Sequence, residues 1–382
     1  MATTRGSRVT MTEPDGATPL REIVRGVVSV PTASYLEHGV REHIRAFAEA
    51  RGLDYAEDAY GNAYVRYQRG RARRPLVLGA HMDHPGFVVT AIAGRRVELE
   101  FRGGLAASYG VGERLRLYAV GELDVQGTAL ITRVRAERGR IAGATARLEP
   151  GASATVGDLA LWDVTPCTVR GEMLHARQCD DLAGAAAILA TLDRAAAARM
   201  TGTLIGLFTR AEEVGLRGAS ITGRARLLPD DALVVAVETS SMAGGRAVQG
   251  GGPVIRVGDA IHVFSPRMTQ WMTALAQEIA TGDPAFRFQR KLMDGGVTEA
   301  TAYDLYGYET GAACLALGNY HNAGLRDRIA AETVHLGDLD GLVRLFLRMW
   351  ETVPKFERYL PALLRRYDRL GREVERALRA AR

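Results

Sequence analysis

Lysine is almost missing from this 382-residue chain: Lys291 and Lys355 stand alone, and arginine carries nearly all the positive charge. The formal net charge is +5, but Arg and Glu are interspersed rather than gathered in blocks. With no basic face bearing aromatic platforms, nucleic acid is not an expected partner. Cysteine is scarce as well. Cys167, Cys179 and Cys314 form no C-x-x-C pair, an odd and sparse set that reads as reduced thiols in the cytoplasm. Cys179 sits beside Asp180 but lacks a spaced His partner, so it reads as a small packing residue rather than a nucleophile. No apolar run approaches the roughly 20 residues that cross a bilayer, which excludes a membrane-spanning helix. The start, Met1 to Pro19, has no apolar h-region. It reads as a disordered lead over residues 1–18, with Met11 as an alternative start, and not as a secretory signal. No internal repeat is present. What remains, 47% hydrophobic and 24% charged residues, is ordinary for a soluble globular protein with one large core or a large core and a smaller domain.

Periodicity divides the chain. Helical spacing at Leu20, Ile23 and Val24, and after Pro31 and Ser34 at Val40, Ile44 and Phe47, predicts two amphipathic helices. Gly61-Asn62 marks a turn before a strand at 63–65, and the short apolar run 76–80 reads as a buried parallel strand. Between about 92 and 171 the texture changes to short alternating runs at 97–101, 114–118 and 129–134, punctuated by Gly and Asp, which predicts a small all-β barrel or sandwich. Alternating strands and helices then resume: helix 182–196, strands 203–208 and 233–237, helix 267–279, strand 286–288, helix 298–306, strand 313–317 and helix 336–352. The expected fold class is therefore α/β, a mixed, mostly parallel sheet flanked by helices over 19–91 and 172–352, with an inserted small all-β domain over 92–171. Residues 353–382 form an Arg/Glu helix with one apolar stripe at Leu360, Leu363, Leu364, Tyr367, Leu370, Val374 and Leu378. Docking on its own domain is the default expectation for that stripe, and a subunit contact the alternative.

Five stretches carry candidate chemistry: His81-Met82-Asp83, Asp180-Asp181, Glu212-Glu213, Glu238 and His321. Four follow strand-like runs, and the Asp pair opens the helix at 182. Open α/β sheets build their sites at the carboxyl ends of parallel strands. Each stretch has an ordinary reading when taken singly. His81 reads as a satisfied structural histidine, the Asp pair as a helix N-cap, and the adjacent glutamates as a solvated surface pair. Their joint placement is what points elsewhere: two imidazoles, several carboxylates and a doubled Glu are the parts of a two-metal hydrolytic centre, with one Glu on a metal and its neighbour free as general base. Asp83, two residues from His81, is placed to hold that ring; His84 reads as a decoy or a substrate contact.

Three of these stretches, Gly79-Ala-His81-Met-Asp83, Asp180-Asp181-Leu-Ala-Gly184 and Phe208-Thr-Arg-Ala-Glu212-Glu213-Val-Gly-Leu-Arg-Gly218, resemble motifs of the glutamyl and tetrahedral aminopeptidases, cytosolic co-catalytic metallopeptidases. The resemblance runs from about residue 20 to 350. It implies two divalent ions, zinc or cobalt, in each subunit. His81 and Glu238 would each bind one metal, Asp180 would bridge them, and Glu213 and His321 would complete the second site. Glu212 would be the general base and Asp83 would orient His81. It also implies a cis Asp180–Asp181 peptide, short peptide substrates, and a cytoplasmic homo-oligomer assembled through the β insertion. Glu238 stands where the family more often has Asp, a change that preserves the ligand chemistry. Two rivals accompany this reading. One is another amide hydrolase on the same scaffold, a deacylase or carboxypeptidase-like enzyme, against which counts the absence of any His between 92 and 171. The other is a non-catalytic assembly protein that kept the fold.

Overall fold

The structure, a computed structural model, describes residues 16–71, 73–121, 123–245 and 247–381, so the lead expected before residue 16, with Met11, lies outside the described residues. Two helices open it, α1 (Leu20–Val28) and α2 (His38–Glu49), followed by strands β1 (Asp54–Glu57), β2 (Ala63–Arg69) and β3 (Leu76–His81). Six strands come next: β4 (Gly86–Ala93), β5 (Arg96–Arg102), β6 (Arg114–Tyr118), β7 (Val125–Glu137), β8 (Arg140–Leu148) and β9 (Leu159–Trp162). They close into an antiparallel barrel in the order β4-β5-β8-β7-β6-β9. Alternate inward residues fill it, with Phe87 edge-on to Trp162 at 5.1 Å between ring centroids. The barrel begins ahead of the expected boundary at 92, because the buried run from Gly86 continues straight into it. It ends short of 171, because β10 (Cys167–Arg170) and β11 (Met173–Ala176) pair elsewhere, joining a later strand in a separate three-stranded sheet.

The rest of the chain builds the larger layer structure: α3 (Leu182–Ala197), β12 (Gly202–Thr209), α4 (Arg217–Arg224), β13 (Leu233–Ser241), β14 (Val254–Gly258), α5 (Pro266–Gly282), β15 (Gln289–Leu292), α6 (Glu299–Leu305), β16 (Glu309–Leu317), β17 (Glu332–His335), α7 (Leu336–Thr352) and α8 (Tyr359–Ala380). β17 is the third strand of the small sheet. The main sheet has eight strands in the order β1-β2-β12-β3-β13-β16-β14-β15, parallel through its centre from β12 to β16. A strand expected at 286–288 falls instead at β15, because the Phe286 N–H closes a turn onto the Asp283 carbonyl.

Side-chain alternation sets the layers. Leu76, Leu78 and Ala80, with Leu233, Val235 and Val237, join the core shared with α1, α3, α5 and α7; Val77, Val234 and Ala236 face α4 and α6. α3 is Ala-rich because it is enclosed on nearly every side, and small residues let it lie close to the sheet. Helix α8 is the exception. Only its start is anchored, with Tyr359 near Trp271 of α5, and Leu364, Tyr367 and Leu378 are each more than half exposed. From Leu364 on, the described residues of the stripe do not dock on their own domain.

Candidate metal centre

Counting on in twos from Val77 and from Ala236 reaches His81 and Glu238, at the carboxyl ends of the adjacent parallel strands β3 and β13. The turn after β12 delivers Glu212 and Glu213, the loop between β11 and α3 delivers Asp180, and the turn after β16 delivers His321. All converge. Asp180 lies between the two imidazoles, with Oδ1 3.4 Å from His81 Nε2 and Oδ2 3.5 Å from His321 Nε2. Glu238 Oε2 is 3.9 Å from His81 Nε2, and Glu213 Oε2 is 3.3 Å from His321 Nε2. Three groups close enough to hold a cation result: His81–Asp180–Glu238 and Asp180–Glu213–His321, which share Asp180, and His81–Glu212–Glu213, which takes one residue from each of the first two. Glu212 stands beside the first, its Oε2 3.9 Å from His81 Nε2.

The backbone is built to hold this convergence. The Asp180–Asp181 peptide is cis. His321 has φ 54° and is flanked by Asn319 and Asn322, also at positive φ, a conformation that costs a non-glycine residue about 1–3 kcal/mol and persists only where surroundings fix it. Those surroundings are visible. The His321 N–H donates to Glu332 Oε1 at 2.8 Å, while Glu332 Oε2 accepts from the N–H groups of Cys179 and Asp180 at 2.8 and 3.0 Å. One fully buried carboxylate thus joins two ligand-bearing loops. The His321 ring is aimed by the Gly104 carbonyl, 2.7 Å from its Nδ1, a contact supplied by the barrel side of the chain. The His81 ring is held by the Asp83 carbonyl at 3.0 Å from Nδ1, with the Asp83 carboxylate at 3.6 Å. That carboxylate also accepts from the N–H groups of Glu212 and Glu213 and from Ser34 Oγ, so Asp83 ties the His81 turn to the doubled-Glu turn. Buried Glu37 completes the support, accepting from Arg210 Nε and the Ala211 N–H.

The charge balance of the cluster asks for cations. Burial disfavours the charge on Glu212 and Glu238 and raises both pKa values, and the neighbouring carboxylates add to the effect. His81 and His321 move the opposite way to what burial alone gives: it opposes their charge, but Glu212 for His81 and Glu213 for His321 lead the carboxylates that raise them well above the usual range. Asp180, pressed on by both rings, is held below the usual carboxylate range against its own desolvation. Buried Glu213 Oε1 and Glu238 Oε1 have no hydrogen-bond partner, a costly state for carboxylate oxygens and one that a coordinated cation relieves. Nitrogen and oxygen donors of this kind fit divalent zinc or cobalt.

The structure also places His84 and Asp181, and brings in Glu299, which sequence spacing did not single out. Buried His84 reaches the Asp180 carbonyl through Nδ1 (2.7 Å) and Asn322 Oδ1 through Nε2 (3.1 Å), so it braces the centre from behind and does not line a substrate path. Glu299 lies buried behind the cluster and accepts from Thr209 Oγ1. Asp181 occupies the N-cap position of α3, yet its carboxylate makes no capping bond. The open side of the centre is a cleft walled by Ser240, Ser241, Arg256, Met293, Val297 and Tyr320. Arg256 donates to Ser240 Oγ and to the Met293 carbonyl.

Comparison with known proteins finds the same fold elsewhere. The TET1 peptidase of Pyrococcus horikoshii, which assembles into a tetrahedron or a large octahedral shell, superposes with a TM-score of 0.71 at 22% identity, over 87% of this chain and 99% of that one. A TET aminopeptidase from a marine-sediment thaumarchaeon gives 0.74 at 18% identity, over 88% and 99%. An aminopeptidase from Desulfurococcus kamchatkensis gives 0.74 at 17%, over 88% and 96%. These likenesses establish the fold. A sequence model described as M42 glutamyl aminopeptidase matches residues 61–345, a span that holds every strand of the sheet centre and every residue of the cluster, and this chain therefore belongs to the M42 glutamyl aminopeptidase family.

Proposed function

We propose that this metal-dependent M42 aminopeptidase removes amino-terminal residues from short peptides with two divalent cations, zinc or cobalt, held by His81, Asp180, Glu213, Glu238 and His321. The observation that carries the reading is Asp180, whose two oxygens divide between the His81 and His321 imidazoles and so between the two groups built on them. Bound there, the cations supply a more acidic water and a polarised scissile carbonyl. Glu212 takes the proton of the attacking water and returns it to the leaving amine. Asp83 holds both the His81 turn and the Glu212 N–H, so it sets the base against the ligands. The Arg256 guanidinium in the cleft wall favours an acidic first residue over a basic one. The assemblies of the TET peptidases support a homo-oligomer, which we place in the cytoplasm and join through the barrel.

Glu212→Gln tests the assignment. It is expected to retain bound metal while turnover falls by about 10²–10⁴-fold. Near-full turnover with metal retained overturns the base assignment. A panel of free aminoacyl amides against amino-blocked ones tests the substrate reading, and a preference for blocked substrates overturns it.

A further inference from the structure

Helix α8 lies beyond the matched family span, and nothing in the proposed peptidase chemistry uses it. Its apolar positions recur with a seam-like spacing. At about 100° per residue, Leu363, Tyr367, Leu370, Val374 and Leu378 fall in a sector roughly 80° wide, with Leu364 at the edge. Among the described side chains this seam is uncovered: Leu364 is 59% exposed, Tyr367 65%, Leu370 45%, Val374 48% and Leu378 68%. A row of this length left in water is costly, at about 25 cal/mol for each Å² that a partner covers.

The charges bordering the seam indicate what covers it. Arg366 and Glu373 lie along one edge, and Asp368 and Glu375 along the other. The far face carries Arg365, Arg369 and Arg372, but each border of the seam includes acids, with Glu375 paired to Arg379 at 2.7 Å, so neither border is the purely basic one that settles on anionic lipid. A narrow seam with both signs at its edges suits another helix. We propose that α8 pairs antiparallel with α8 of a second copy of this chain. With Tyr367 set opposite Leu370 of the other copy, Arg366 comes alongside Glu373 of that copy, and two-fold symmetry repeats the pair. A parallel arrangement would set Arg366 and Glu373 against Gly371 and Leu378 and join no charges. The contact is separate from assembly through the barrel, so it adds a second two-fold joint to the particle.

The test uses the full-length protein and its mass by analytical ultracentrifugation. Leu370→Asp with Val374→Asp is expected to lower the number of subunits per particle; an unchanged mass overturns the proposal. Arg366→Glu and Glu373→Arg are each expected to lower the mass, because each places like charges together twice. The combined exchange is expected to restore it, and failure to restore overturns the antiparallel register. Turnover per subunit serves as the folding control, since none of these residues belongs to the centre. Sedimentation of the wild-type protein with phosphatidylglycerol vesicles, lost in the Leu370/Val374 variant, would instead identify lipid as the occupant and overturn the proposal.

Discussion

Glu332 is a single carboxylate that fixes two loops of the candidate centre at once, by accepting the N–H groups of Cys179, Asp180 and His321. Glu332→Gln keeps the shape but turns an amide NH₂ towards one set of those donors. Each buried donor left unpaired costs about 1–3 kcal/mol, and loss of such outer support typically weakens a metal site by roughly 10–100-fold. Chelator competition is the measurement, and wild-type affinity in the variant would remove Glu332 from the account. Glu299 gives a second prediction, one of pH. Burial pushes it up to about 7 from the usual 4.5. Below 4.5 both folded and unfolded forms are protonated; between 4.5 and 7 the unfolded chain has released a proton that the folded protein still holds, so stability falls across that window and stays low above it. The loss is on the order of 3 kcal/mol, since each pH unit in that window is worth about 1.4 kcal/mol. Glu299→Gln is therefore expected to melt like the parent at pH 4 and higher than it at pH 8, in the presence of chelator; identical curves at both pH values would refute it. Neither residue could be found from spacing. Glu332 opens a short strand after an irregular loop, and Glu299 opens a helix, where an acid is ordinary, so nothing local marks either as buried beside the centre, whereas His81, Glu238 and the doubled Glu follow strand runs that the pleat makes readable.

At the scale of elements, the strand ends were legible because burial on both faces leaves long apolar runs, and the residue after each run is where a parallel sheet presents its chemistry. Boundaries were harder. The chain passes from β3 of the main sheet to β4 of the barrel without a break in its buried run, so composition alone put the join too late, and β10 and β11 were masked by the alternating texture before them. The start of α3 shows what such texture cannot carry. Asp181 sits there with both carboxylate oxygens buried and unpartnered, packed against Gly184. A methyl group at 184 would collide with both oxygens, and Asp181 has Asp180 on one side and the sheet on the other. Overpacking of this kind costs about 1–3 kcal/mol and displaces the carboxylate that adjoins the ligand loop. Gly184→Ala is accordingly expected to lower the melting temperature and weaken metal binding together, although alanine is normally the better helix residue. A stabilised variant with unchanged metal affinity would show that Asp181 has room to move.

For the whole molecule, the centre is the point where separately folded parts meet. The barrel has its own core, yet the Gly104 carbonyl aims His321, and Tyr109 donates to the Gly324 carbonyl in the same turn. The catalytic sheet contributes His81 and Glu238, and the small sheet contributes Glu332 through β17. Sequence texture separated these parts but could not show that they converge, because such contacts span more than a hundred residues. Convergence has a thermodynamic consequence. A ligand that binds only when all the parts are assembled stabilises the assembly by RT ln(1 + [L]/Kd), about 2.7 kcal/mol at a hundredfold excess over Kd. Metal should therefore act on the molecule as a whole: zinc or cobalt added to chelated protein is expected to raise the melting temperature of barrel and sheet together, by several degrees and in proportion to the logarithm of free metal. The His321→Ala variant should lose most of that rise. A metal response confined to one of two separate unfolding transitions would mean that the barrel contact through Gly104 does not couple the domains.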